Sequence, residues 1–216
     1  QIVMLARDTR VVAATAAMPD GTGLARVMPE FPDRVWDTGI CESHAMDMLA
    51  GCAKTGLRPF FAVYSTFLQR AFDQAFQEVA LQGLPVRLCL DRAGLVGGDG
   101  AVHHGFCDIA LLRTLPGAAL TAAIDEPSLK AALEFMRTYD DGLSAVRYPR
   151  DSVADLGAGE CPPFELGKAR AITEHDAPDC AILSFGALIT NAQHAIELLG
   201  PEHRVSVYDA RFAKPV

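Results

Sequence analysis

A chain of 216 residues can bury one large core, or the core of one domain together with part of a second. Its formal net charge is −8 and it has no lysine or arginine block, which argues against binding to nucleic acid or to anionic lipid. No apolar run approaches the ~18 uncharged residues of a membrane-spanning helix, so no membrane partner is expected.

The six cysteines indicate a reducing compartment. They form no C-x-x-C pair and lie mostly within apolar runs, which is typical of reduced core residues rather than of a disulfide or zinc framework. The first residues lack the basic segment, the longer apolar stretch and the cleavage site of a signal peptide. We therefore expect a cytoplasmic protein without a metal site of its own.

Apolar runs of strand length alternate with helical periodicity along the first 150 residues. The predicted strands cover residues 11–16, 35–37, 59–64, 85–91, 118–123 and 144–148. A helix is predicted at 67–82, where two apolar rows repeat every four residues, and another begins near Asp125 with acids and a proline in its first turn. Buried strands joined by such helices predict an α/β fold with a doubly wound, mainly parallel sheet.

The composition changes at residues 151–167, where glycine, proline and polar residues interrupt the periodicity. We take this segment as a linker between a domain at 1–150 and a second unit at 168–216. The second unit has a predicted strand at 181–186, a helix at 187–199 and a strand at 205–208. A unit of ~50 residues is a poor independent domain, so we interpret it as the truncated beginning of an α/β C-terminal domain.

An ordered set of motifs resembles the 1-deoxy-D-xylulose-5-phosphate synthase family of transketolase-like enzymes. The motifs are TAAMPDGTG at 15–23, GICESH at 39–44, YSTFLQR at 64–70, DRAGLVG at 91–97, DGAVHHG at 99–105, RYPR at 147–150 and DARFAKP at 209–215. The resemblance implies a thiamine-diphosphate-binding fold in which 1–150 is the pyrimidine-binding domain. Cys41 before the glutamate and Asp151 after the Tyr-Pro-Arg turn depart from the family's pattern.

Glu42 is the first candidate catalytic residue. From periodicity alone it is an acid at a helix N-terminus, which is a common stabilising arrangement. The resemblance implies instead that Glu42 binds the aminopyrimidine N1′ of thiamine diphosphate and favours the imino tautomer that removes the cofactor's C2 proton. Such a role needs a carboxyl group that is shielded from water.

Aromatic and basic residues follow the predicted strand 59–64. Phe67 has the spacing of an ordinary core residue, and Tyr64 and Arg70 flank it on a strand-to-helix turn, where open α/β sheets usually bind ligands. The resemblance implies that Phe67 stacks on the aminopyrimidine, that Tyr64 lies beside the cofactor, and that Tyr64 and Arg70 line the glyceraldehyde-phosphate side of the channel.

Three arginines lie at other predicted strand ends, where the simplest interpretation is a solvated side chain. Guanidinium groups suit bidentate phosphate binding, and by resemblance Arg92 and Arg150 are assigned to the acceptor's phosphate. Arg147 has the alternative of pairing with a core carboxylate. The resemblance also implies that His103 transfers protons near the cofactor's reactive carbon and that Asp99 lies close to the same channel.

Residues 98–100 imitate the Gly-Asp-Gly that begins a thiamine-diphosphate magnesium motif. That motif needs an asparagine some ~25 to 30 residues later, and the only asparagine in the sequence is Asn191. We therefore expect Mg²⁺ and the diphosphate to be bound by an N-terminal domain that is missing from this chain.

The implied function is condensation of pyruvate with D-glyceraldehyde 3-phosphate by decarboxylation and carboligation, as the first step of an isoprenoid precursor pathway. The resemblance also implies a homodimer, and we expect the chain alone to be inactive. The alternatives are the pyrimidine domain of another transketolase-like enzyme or of a 2-oxoacid dehydrogenase β-subunit, and a non-catalytic assembly module.

Overall fold

The computed structural model describes residues 2–152, 154, 156 and 160–216, so part of the predicted linker 151–167 lies outside the described residues. In the described chain ten strands form two sheets. They are β1 (Val11–Thr15), β2 (Val35–Asp37), β3 (Arg58–Tyr64), β4 (Arg87–Asp91), β5 (Ala119–Ala122), β6 (Ser144–Arg147), β7 (Arg170–Thr173), β8 (Cys180–Ser184), β9 (Val205–Asp209) and β10 (Phe212–Lys214).

The larger sheet has seven strands in the order β10-β5-β6-β4-β3-β1-β2. The first six strands of the chain are parallel to their neighbours, and only β10 runs antiparallel, beside β5. The strand prediction is confirmed in this region, with ends that shift by one or two residues. Nearly continuous burial of β1, β3 and β4 is what a parallel sheet covered on both faces requires.

Helices cover both faces of this sheet, so the predicted doubly wound α/β fold is confirmed. They are α1 (Ile2–Arg7), α2 (Glu42–Lys54), α3 (Phe72–Gln74), α4 (Asp108–Thr114) and α5 (Glu126–Thr138), with α6 (Ile189–Leu199) in the second unit. Alternating strand residues separate two cores. One contains Phe61 and Leu88 with α2 and α4, and the other contains Phe60 and Cys89 with α1 and α5.

The segment predicted as a regular helix at 67–82 is wound in three different ways. It is a 3₁₀ helix over Ser65–Ala71, a single α-helical turn in α3, and a π-helix over Ala75–Ala80. The prediction of one regular helix was wrong because all three kinds of winding bury the same face of the segment, so the apolar pattern does not distinguish them. The buried residues Leu68 and Ala71 are three positions apart, as in a 3₁₀ turn, and Ala71 and Ala75 are four positions apart.

The start of α5 agrees with its sequence signal. The Asp125 carboxylate accepts a hydrogen bond from the Ser128 N–H at 2.8 Å, and the Asp125 N–H donates to the Ser128 hydroxyl at 2.9 Å. Pro127 lies in the first turn, where its missing N–H costs no helical bond. None of the helices in the described chain combines the length and apolar character needed to cross a bilayer.

The second unit contains a three-stranded sheet in the order β7-β9-β8, with β8 and β9 parallel. Leu183, Leu188 and Leu198 are exposed there. The strand β10 belongs by position to the predicted unit 168–216 and yet pairs with β5 of the larger sheet. The division into domains at 151–167 stays a prediction, and β10 links the two predicted units through backbone hydrogen bonds.

Asp8, between α1 and β1, gathers three arginines at the amino-terminal edge of the large sheet. Its carboxylate lies 2.7 Å from Arg58 Nη1, 3.0 Å from Arg137 Nη1 and 3.3 Å from Arg10 Nε. Burial alone would raise the pKa of Asp8, but the hydrogen bonds from Arg10 and Arg58 outweigh it and hold the pKa well below its usual range.

This depressed pKa predicts a pH-dependent part of the stability. The contribution of Asp8 is complete above the unfolded-state pKa of about 4 and is lost as the pH falls toward the lower folded value. We expect Asp8→Asn to lower the free energy of unfolding by about 1–3 kcal/mol at pH 6, and the difference from wild type to shrink at pH 3. Urea unfolding of wild type and Asp8→Asn at both pH values measures the difference in the free energy of unfolding, and Asp33→Asn, at an exposed position, is the control. A difference between wild type and Asp8→Asn that is equal at both pH values contradicts the prediction.

Candidate functional site

The predicted site residues converge at one edge of the large sheet. Tyr64 ends β3, Asp91 ends β4 and Arg147 ends β6, and these three strands are neighbours. Because parallel strands present their carboxyl ends at the same edge, the turns that follow them meet there. The residues Arg92 and Arg150 lie on those turns, as the sequence predicts.

Glu42 is the first residue of α2 and is only 2% exposed. The chain arrives from β2 through a tight turn in which Gly39 has a φ of +70°, a conformation that favours glycine. The Glu42 carboxylate accepts a hydrogen bond from Arg70 Nη1 at 2.6 Å. A carboxylate so well shielded from water has the environment that the predicted role requires.

Arg70 also covers the ring of Phe67. Its guanidinium carbon lies 4.7 Å from the Phe67 ring centroid, and its side chain is 53% exposed. Arg70 therefore touches both residues that were predicted to hold the aminopyrimidine, whereas the sequence assigned it to the substrate channel. Half of the Arg70 side chain is in solvent, so it has room to turn away, but doing so breaks its ion pair with the buried Glu42 carboxylate, which then needs another partner.

Phe67, Tyr64 and His103 form an aromatic group. The centroids of Tyr64 and Phe67 are 5.9 Å apart with nearly parallel planes, and the His103 ring stands edge-on to Phe67 at 5.6 Å. Gly21 lies against the Tyr64 hydroxyl, since a Cβ atom on it would lie 1.7 Å from the phenolic oxygen. Burial raises the pKa of the Tyr64 phenol above its usual value, so the phenol stays protonated at neutral pH.

The two predicted phosphate arginines share one carboxylate. Arg92 Nε lies 2.9 Å from Asp99 Oδ2, and Arg150 Nη1 lies 3.1 Å from Asp99 Oδ1. The Arg92 guanidinium also rests 3.8 Å from the centroid of the Tyr64 ring. The structure thus brings Tyr64, Arg92, Asp99 and Arg150 together on the side of Phe67 where His103 lies.

The hydrogen bonds of the two adjacent histidines fix opposite tautomers. His103 Nδ1 lies 2.7 Å from the Asp99 carbonyl oxygen, which can only accept, so Nδ1 carries the hydrogen and Nε2 of the neutral ring is the basic nitrogen. His104 Nδ1 instead accepts from the Val96 N–H at 3.2 Å. Of the two, His103 is the one beside Phe67 and Tyr64.

Arg147 pairs with a buried carboxylate, which is the alternative that the sequence analysis left open. Its Nε lies 2.8 Å from an oxygen of Asp108, whose side chain is fully buried at the start of α4. A paired guanidinium of this kind holds α4 against the strand end rather than reaching toward a ligand. An apolar cavity of about 400 Å³ lies between the beginnings of α5 and α6, with Ile124 and Leu188 in its wall, and Pro149, the neighbour of Arg150, also lines it.

Sequence reasoning missed three contributors to the site. Gly21 leaves room for Tyr64, and Gly105 packs against Ser65, since a Cβ atom there would lie 2.5 Å from the Ser65 oxygen. Asp91 pairs with Arg92, and burial raises its pKa in spite of that partner. The available signals were glycines within the loop motifs and an acid that ends a buried strand next to an arginine.

Comparisons with known proteins identify relatives of this chain. Residues 2–155 match the family described as "Transketolase, pyrimidine binding domain". The chain is 45% identical to 1-deoxy-D-xylulose-5-phosphate synthase of Thermomicrobium roseum, over 100% of this chain and 34% of that protein. It is 48% identical to the synthase of Rhodobacter capsulatus, over 98% of this chain and 33% of that protein. The chain therefore spans about a third of the length of these relatives.

Solved structures show the same fold at low identity. A structure titled "Split gene transketolase, inactive beta4 tetramer" matches with a TM-score of 0.87 and 24% identity, covering 99% of this chain and 69% of that one. Transketolase from Leishmania mexicana matches with a TM-score of 0.81 and 17% identity, over 99% of this chain and 33% of that one. With the family match covering most of its length, the chain belongs to the family of transketolase pyrimidine-binding domains.

Proposed function

We propose that this chain supplies the pyrimidine side of a thiamine-diphosphate enzyme that makes 1-deoxy-D-xylulose 5-phosphate from pyruvate and D-glyceraldehyde 3-phosphate. The observation that carries the proposal is that the buried Glu42 carboxylate and the half-buried Phe67 ring both contact Arg70, with a pair of arginines that share Asp99 at the same edge of the sheet. Relatives that are 45% and 48% identical over nearly the whole chain are named as this synthase.

The residues present fit the cofactor's aminopyrimidine. A flat heterocycle needs an aromatic face and a hydrogen-bonding carboxyl group away from water, and Phe67 and Glu42 supply them. Thiamine diphosphate, when bound, supplies the electron sink that decarboxylation and carbon–carbon bond formation require. Arg70 has to leave the face of Phe67 for this, and its exposure allows it to do so.

The other residues have separate tasks in this proposal. Glu42 holds or releases a proton at its carboxyl group, and His103 accepts or donates one at Nε2. Arg92 and Arg150 bind the phosphate of the acceptor, and Tyr64 gives Arg92 a surface to rest on. Because Asp99 bridges both arginines, an incoming phosphate shares or replaces that carboxylate as their partner.

The remaining parts of the proposal concern what lies outside these 216 residues. We include a diphosphate-binding domain that holds Mg²⁺, a homodimeric assembly and a cytoplasmic location. Because the chain spans about a third of its relatives, the experiments use this chain joined to the segments that the Rhodobacter capsulatus relative carries outside the matched region. This hybrid is called the completed enzyme.

Substrate tests on the completed enzyme decide the proposal. We expect product from pyruvate and D-glyceraldehyde 3-phosphate and none from this chain alone. In the double variant Arg92→Met/Arg150→Met, KM for the aldehyde phosphate should rise about a hundredfold, because two charged hydrogen-bonding partners are lost. KM for pyruvate should change less than threefold. Ketol transfer between sugar phosphates without pyruvate decarboxylation points instead to a transketolase, and product from the chain alone overturns the proposed need for the other segments.

A further inference from the structure

Arg92 has an unusual backbone conformation for a residue with a side chain. Its φ is +58°, and among the described residues it shares a positive φ only with Ala17, Arg211 and several glycines. L-residues seldom adopt this left-handed region because the Cβ atom crowds the carbonyl oxygen, so something must hold Arg92 there. The chain before it is the buried strand β4, which ends at Asp91.

Asp91 makes two bonds to this one neighbour. Its Oδ1 accepts the Arg92 backbone N–H at 2.6 Å, and its Oδ2 lies 3.0 Å from Arg92 Nη1. The residue is 8% exposed, so both bonds lie in a medium where charged hydrogen bonds are strong. One carboxylate therefore fixes both the backbone turn and the direction of the guanidinium.

The result is a guanidinium held from three sides. Nη1 faces Asp91, Nε faces Asp99, and the ring of Tyr64 lies 3.8 Å from the guanidinium carbon. Nη2 takes part in none of these contacts. The turn that contains Arg92 is also joined to the loop that contains His103. Gly94 on the turn and Gly105 on the loop exchange two backbone hydrogen bonds of 2.8 Å.

We propose that Asp91 is a positioning residue that acts through Arg92 and sets its guanidinium for the phosphate of the acceptor substrate. This inference rests on the proposed function, since it assumes a phosphorylated acceptor at Arg92. Asp91 itself is 8% exposed, so in this inference it acts on the substrate through Arg92 and not by direct contact. The carboxylate holds the guanidinium in place before the substrate binds, so Arg92 loses less conformational entropy on binding.

Asp91→Asn in the completed enzyme tests the inference. Asparagine keeps the size and an acceptor for the backbone N–H but loses the ion pair. We expect KM for D-glyceraldehyde 3-phosphate to rise about tenfold, because the guanidinium is no longer pre-oriented. The kcat and the KM values for pyruvate and for unphosphorylated D-glyceraldehyde should change less than about threefold. Exposed Asp33→Asn is the control.

A double-mutant cycle separates positioning from a purely structural role. If Asp91 acts through Arg92, then Asp91→Asn should add nothing to the effect of Arg92→Met on the KM for the aldehyde phosphate. Additive effects, or an equal rise in KM for unphosphorylated D-glyceraldehyde, would overturn the inference. A variant that lost structure would instead raise the KM for every substrate together and lower the unfolding temperature.

A second measurement does not depend on catalysis. We titrate the 216-residue chain with glycerol 3-phosphate and with inorganic phosphate and follow the Arg92 Nε–H resonance by NMR. Wild type should bind about tenfold more tightly than Asp91→Asn. If the completed enzyme makes no product but this difference is found, the proposed function fails and the positioning role stands. Equal affinities, or phosphate binding in neither protein, overturn the positioning role.

Discussion

Glu42→Gln should lower the kcat of the completed enzyme by at least about a hundredfold, which is the lower range for loss of a positioned acid or base. Glutamine has nearly the same size and can still meet Arg70 through its amide oxygen, but it cannot hold and release a proton. The buried position of Glu42 makes the change specific, because a side chain that is only 2% exposed has little contact with the solvent that could replace its carboxyl group. Initial rates with saturating substrates measure the effect.

The matched control is Glu126→Gln, an exposed acid in the first turn of α5 that pairs with Lys130. This variant should keep kcat within about twofold of wild type, because an exposed ion pair contributes little. Unfolding temperatures of both variants show whether a loss of rate comes from a loss of structure. A Glu42→Gln enzyme with intact structure and a kcat within threefold of wild type would remove Glu42 from the catalytic role.

Arg87→Met should lower the free energy of unfolding of the chain by about 3 kcal/mol, because the buried guanidinium makes charged hydrogen bonds that are worth roughly 1.5–3 kcal/mol each. The Arg87 side chain is 0% exposed in β4 and ties that strand to the end of α5. It donates to the carbonyl oxygens of Met136 at 2.6 Å and Tyr139 at 3.1 Å, and to the Asp140 carboxylate at 2.5 Å. Burial lowers the pKa of Arg87 to about 10 in spite of Asp140.

Methionine fills much of the same volume but removes the guanidinium donor from the carbonyl groups of Met136 and Tyr139 at the end of α5. Urea unfolding measures the loss, and Arg204→Met is the control, because Arg204 and its partner Asp179 are both about half exposed. The control should cost less than about 1 kcal/mol. A similar small loss for Arg87→Met would mean that water replaces the guanidinium at these carbonyl groups.

Much of the fold could be predicted because its signals are local. The strands β3 and β4 are continuous apolar runs, and Asp125 with Pro127 marks the beginning of α5. The strand β10 could not be predicted, since three residues with one buried phenylalanine carry no pattern and its partner β5 lies about 90 residues earlier. The winding of 65–80 was hidden because the same face is buried in each kind of helix.

Sequence reasoning predicted which residues belong to the candidate site but not how they contact one another. The resemblance named Glu42, Phe67, Tyr64, Arg92, Asp99, His103 and Arg150, and the structure places them at one edge of the sheet. The resemblance did not predict that Arg70 would bond Glu42 and cover Phe67, because the partner of a flexible cation depends on what else occupies the site. Asp91 escaped notice for a different reason: at the end of a buried strand an acid has no periodic signature.

The central claim is that Glu42 and Phe67 hold the cofactor's aminopyrimidine once Arg70 has moved away. A crystal structure of the completed enzyme with thiamine diphosphate tests it through one distance, from the Glu42 carboxylate to pyrimidine N1′. We expect about 2.6–2.9 Å, with the pyrimidine on the face of Phe67 that Arg70 covers in this structure. A bound cofactor whose pyrimidine lies elsewhere, with the Glu42–Arg70 ion pair still intact, would contradict the account.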